Sequence, residues 1–86
     1  MALIGTVEWL PPFEADNLSK IAVVSQVLPD GSLSVCDTLT DWPDGLIFRR
    51  IAQHLALRFI AEHYGEVGFS MTAVRGDRPK YNIYLG

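Results

Sequence analysis

Residues Gly45 to Tyr64 read as one helix of about five turns, apolar on two sides. A chain of 86 residues has too little interior to bury such a rod all round. At 100° per residue, Phe48, Ile51, Ala52, Leu55 and Phe59 fall within about 60° of one direction. That is the face expected to lie on a sheet. Each large side chain on it contributes roughly 1.5–3 kcal/mol on burial. Leu46, Leu57, Ala61 and Tyr64 occupy the opposite side, with Ile60 at its shoulder and Arg50 set inside it. Gln53 and His54 form its border. This second stripe calls for a cover, and another subunit or a protein partner is the cover expected. The alternatives are the chain's own loop from Pro11 to Ser19, or simple exposure. Asp44 is the expected N-cap, because its carboxylate can accept the free amide hydrogens of the first turn. Gly65 is the expected left-handed stop.

Two hairpins flank this helix. Lys20 to Leu28 is rich in β-branched residues and apolar on both faces, as a central strand is. Pro29-Asp30-Gly31 is a turn in which proline presets φ and glycine takes the left-handed position that follows. Ser32 to Thr38 returns as a strand, with Leu33, Val35 and Asp37 on one face. Beyond the helix, Glu66 to Arg75 alternates Val67, Phe69, Met71 and Ala73 against smaller or polar residues. Gly76 to Pro79 turns the chain, and Lys80 to Leu85 sets Tyr81, Ile83 and Leu85 on one side. Ala2 to Leu10 can add a further strand. Pro11 and Pro12 end it, since neither donates a backbone hydrogen bond, and the stretch from Pro11 to Ser19 is expected to loop with Phe13 tucked inward.

The order (β)ββαββ predicts an α+β fold of two layers, a four- or five-stranded, mainly antiparallel sheet with one long helix across one face. The other face must then be solvated or paired with another chain. Val24, Leu28, Cys36, Val74 and Tyr84 are assigned there, mixed with Gln26, Ser34, Thr72 and Asn82. Residues 1–86 are read as one domain. A lone cysteine rules out an internal disulfide, the N-terminus lacks a basic region, and no run reaches the ~20 apolar residues of a membrane span. A reducing cytoplasm is the expected location.

The chemistry of the chain is sparse. His54 and His63 lie a half turn apart on the helix, so they cannot share one metal, and neither a metal nor a cofactor is expected. Cys36 reads as a small packing residue rather than a nucleophile served by His54. Asp37, Asp41 and Asp44 precede the helix as turn and capping groups, and no glycine-rich phosphate loop is present. An enzyme is therefore the least favoured reading. Net charge is −3 but uneven: residues 1–45 hold seven acids against Lys20, whereas residues 46–86 hold six bases against three acids. This polarity suits pairing within or between subunits.

The expected function is that of a small interaction or regulatory module that forms a homo-oligomer, a dimer above all. Its interface would comprise Arg50, Leu57, Ile60, Ala61 and Tyr64, or the back of the sheet. An alternative is a groove between subunits that binds a small ligand or polyanion through Trp42, Arg49, His54 and Arg58. A weaker nucleic-acid reading rests on Arg75, Arg78 and Lys80 beside Tyr81, opposed by the acidic balance of the whole chain.

Overall fold

A computed structural model describes residues 2–10, 21–42 and 45–86. The expected loop of residues 11–19 and the expected cap Asp44 lie outside the described residues. The elements run β1 (Ala2–Leu10), β2 (Ile21–Val27), β3 (Leu33–Thr40), α1 (Phe48–His63), β4 (Phe69–Ala73) and β5 (Lys80–Leu85). The five strands form an antiparallel sheet in the order β3-β2-β1-β5-β4, with α1 across one face. This is the two-layer α+β architecture that the pattern predicts. β1 holds the middle of the sheet, between β2 and β5. It joins the two hairpins, and every neighbouring pair is antiparallel.

The turn between β2 and β3 is built as its residues dictate. Gly31 has φ 88°. Its N–H donates to the Leu28 carbonyl at 2.8 Å, and the Leu28 N–H donates to the Ser32 carbonyl at 2.8 Å. Asp30 Oδ1 accepts from both the backbone N–H and the hydroxyl of Ser32, at 2.9 and 2.6 Å. Those two bonds favour the ionised carboxylate and hold Asp30 below the usual carboxylate range.

The helix starts three residues later than its pattern suggests. Ile47 is its N-cap, with extended φ −78° and ψ 149° and no side-chain cap bond. At the other end Tyr64 donates its N–H to the Ile60 carbonyl at 2.8 Å, and Gly65 follows at φ 79°, the left-handed stop.

Phe48, Ile51, Ala52, Leu55 and Phe59 are all buried, together with Ala56 and Ile60. They pack on Ile4, Val7, Ala22, Val24 and Ile83 of the sheet. At one end of this core sits an aromatic cluster. Trp9 stacks on Phe48 at 5.7 Å between ring centroids, Trp42 meets Trp9 edge-on at 5.7 Å, and Tyr81 lies 5.9 Å from Phe48. Near the other end Phe59 presses on the β1 backbone. A Cβ placed on Gly5 would stand 2.9 Å from Phe59 Cε2 and 2.9 Å from the Ser25 carbonyl oxygen, closer than carbon atoms tolerate. Gly5 is thus a site of close ring–backbone approach, one of the uses of glycine in a strand.

Face assignments in β2 and β3 need correcting. Val24 is fully buried under the helix and is not on the back of the sheet. Gln26, two residues from Val24 and paired with Gly5, and its partner Ser34 share the helix side with Val24. In β3, Val24 pairs with Asp37 but the adjacent Ser25 pairs with Val35, so Cys36 is an extra residue in a β-bulge. The bulge breaks the alternation of β3. Asp37 and Leu39 pair with the helix-side residues Val24 and Ala22, while Val35 and Leu33 pair with Ser25 and Val27 on the far face.

Candidate functional site

The helix packs on β1 and β2, toward one side of the sheet. That offset leaves an open trough of about 580 Å³ beside β4. Phe69, Met71 and Tyr81, all half-buried, form its floor, and Arg49, Gln53 and Leu57 stand on its helical wall. Leu57 is 58% exposed. Arg49 is exposed and makes no ion pair among the described residues. The large side chains of its floor are therefore apolar, its walls are mixed, and Arg49 on its rim has no counter-ion among the described residues. It runs along β4, which among the described residues is a sheet edge with one side unpaired.

The residues of the predicted helical interface separate. Arg50, Leu57 and Ala61 are exposed. Ile60 is 3% exposed and belongs to the core. Tyr64 is half-buried, packs against the core and meets Phe59 edge-on at 6.0 Å. The physical cause is the rotation of the helix about its axis. It rolls toward the trough side, and Ala56 and Ile60 go down with the first stripe.

The alternative ligand set does not form one site. Trp42 is 7% exposed and plugs the aromatic end of the core. Arg58 reaches the other way, over β3, where its Nη2 lies 3.3 Å from Asp37 Oδ2. His54 is exposed on the helix. Of the four, Arg49 alone lines the trough. His63 is engaged locally, its Nδ1 3.1 Å from the Phe59 carbonyl and its ring 4.8 Å from the Phe59 ring.

Arg75, Arg78 and Lys80 line a smaller hollow of about 350 Å³ at the β4–β5 turn, together with Glu8 and Asp77. Two carboxylates among three cations leave little net field for a phosphate backbone. Tyr81, which would have to stack on a base, is packed against Phe48 instead.

Cys36, in the bulge, donates its thiol to the Val24 carbonyl at 3.5 Å. Burial raises its pKa above the ordinary thiol value, and the carboxylates of Asp37 and Glu62 act in the same direction. A thiol held protonated is a poor nucleophile. Among the described residues, no three His, Cys, Asp or Glu side chains converge as a metal site would require, and no helix is long and apolar enough to cross a membrane.

Sequence reasoning missed the trough itself. Its floor residues, Phe69 and Met71, are visible as one face of a strand. Their incomplete cover is not, because it depends on where the helix sits across the sheet. The chain matches no protein-family model, no curated protein and no solved structure. Its functional reading rests on geometry.

Proposed function

We propose that this protein is a small interaction module that self-associates through the exposed side of its helix, with the back of the sheet as a second surface. The observation that carries this reading is Leu57, 58% exposed on a helix wall above the apolar floor of Phe69 and Met71. A large aliphatic group standing over an apolar trough gains roughly 1.5–3 kcal/mol when a partner removes both from water. Arg50 and Ala61 flank it as the polar and small residues of an interface margin. Leu33, Val35 and Leu3, exposed at 53, 64 and 42%, give the back of the sheet and its edge comparable apolar material.

The test is the particle mass in light scattering across a concentration series. Dimer mass for the native chain, falling to monomer mass in Leu57→Asp with an unchanged circular dichroism spectrum, is the expected result. Monomer mass for the native chain at millimolar concentration would refute self-association. A second reading, an anionic ligand held by the trough, is favoured by Arg49 alone. Inorganic phosphate raising the thermal midpoint of the native chain but not of Arg49→Ala would support it.

A further inference from the structure

We infer that the seam between two copies is the outer edge of β4, which no other described strand pairs, joined antiparallel with itself about Met71 so that the two sheets become one. This rests on the self-association proposed above and names its contact. The backbone fixes which groups are free. Val74 donates its N–H to the Lys80 carbonyl at 2.9 Å, and Gly86 donates to the Gly68 carbonyl at 3.2 Å. Residues 68 and 74 therefore point at β5, and with strand alternation so do Ser70 and Thr72. The N–H and C=O of Phe69, Met71 and Ala73 point outward along the edge. An antiparallel copy with Met71 opposite Met71 sets Phe69 opposite Ala73 on both sides, each pair exchanging two backbone bonds.

The two edges of the sheet differ in the features that deter such pairing. β3 carries the bulge at Cys36 and the charge of Asp37. Bulges and charges are the usual protections of an exposed edge. β4 reads Phe-Ser-Met-Thr-Ala, with no charge, no proline and no bulge against β5. Charge complementarity then selects a second copy of this chain as the occupant. The segment before β4 carries Glu66 and the segment after it carries Arg75, both exposed, and neither has an ion-pair partner among the described residues. In the antiparallel arrangement the Glu66 end of each copy lies beside the Arg75 end of the other, so the attraction occurs twice. Phe69 and Met71 of the two copies adjoin, and the two troughs merge over a common apolar floor beneath both Leu57 side chains.

The test is Met71→Cys in a Cys36→Ser chain, oxidised mildly at dimer-forming concentration. A hydrogen-bonded antiparallel pair has Cα atoms about 5.5 Å apart, within disulfide range. A disulfide dimer is expected at position 71 and not in a Leu33→Cys control on the opposite edge. Ala73→Pro removes one outward N–H and leaves the β5 ladder intact; it is expected to give monomer mass with the circular dichroism spectrum retained. Arg75→Glu alone weakens association by about 2- to 30-fold, and adding Glu66→Arg restores it. A native dimer that neither cross-links at position 71 nor responds to Ala73→Pro overturns the edge seam and leaves self-association standing. A native monomer at millimolar concentration overturns both.

Discussion

Gly5→Ala tests the packing of the helix on the central strand with the smallest possible perturbation, one methyl group. In a neutral setting the change should help, because glycine in a strand interior is destabilising by roughly 0.5–1 kcal/mol relative to alanine. Here the new Cβ meets Phe59 Cε2 at 2.9 Å, Phe59 Cζ at 3.1 Å and the Ser25 carbonyl at 2.9 Å. Phe59 cannot swing away, since it is 2% exposed and held between His63 and Tyr64. Ser25 belongs to β2, directly paired with β1, so its carbonyl moves only if the ladder moves. Overpacking of a well-filled core costs about 1–3 kcal/mol. Overlap with both a ring and a backbone atom places this site in the upper part of that range, so the strand gain is outweighed. A loss of about 2 kcal/mol in a domain of this size lowers the thermal midpoint by about 8–16 °C. The assay is urea unfolding together with a thermal scan. Adding Phe59→Leu should recover part of the loss through a favourable coupling in the double-mutant cycle. The Ser25 contact would persist, so recovery is incomplete. A Gly5→Ala chain as stable as the native one, or more so, would show that helix and strand do not approach as described.

Ile60→Ala and Leu57→Ala separate two residues of one sequence stripe: chemical denaturation should show a loss of about 2–5 kcal/mol for the buried Ile60 and within about 0.5 kcal/mol for the exposed Leu57 in the monomer. Asp30, whose folded carboxyl lies below its unfolded value, contributes stability present above the unfolded pKa and lost as pH falls through the folded one. Thermal midpoints from pH 6 down to 2 should therefore fall less for Asp30→Asn than for the native chain, and equal slopes would refute the turn geometry. Cys36 should react with iodoacetamide at pH 8 more slowly in the folded chain than in urea, because its raised pKa leaves less thiolate. Equal rates would contradict that environment.

Much of the fold is legible in the sequence where one local signal decides. The alternation of Tyr81, Ile83 and Leu85 marks β5 to the residue, and Pro29-Asp30-Gly31 fixes its hairpin. Phe48, Ile51, Ala52, Leu55 and Phe59 are all buried as the helical period marks them, although Ala56 and Ile60 join them. What escapes is set by tertiary packing. Ile60 stands at the shoulder of the wheel, and only the roll of the helix over the sheet decides whether it turns inward. The bulge at Cys36 leaves no mark in a run of eight strand-forming residues, yet it sends Val35 and Asp37 to opposite faces. Val24, apolar in a strand apolar on both sides, could be assigned to either. The candidate surface suffers most from this: Leu57 is readable as exposed, whereas the trough beside it requires knowing that the helix lies off-centre.

The middle position of β1 bears on the order in which the chain acquires its shape. One neighbour, β2, follows it closely, while the other, β5, lies at the far end of the polypeptide. Closing a long loop is entropically dearer than closing a short one, and distant pairings tend to be made late. The three leading strands and the helix can assemble as a nucleus, and the trailing hairpin docks onto it as a clasp. Side-chain truncation at Val7 or Ala22 should then slow refolding, whereas truncation at Met71 should chiefly hasten unfolding.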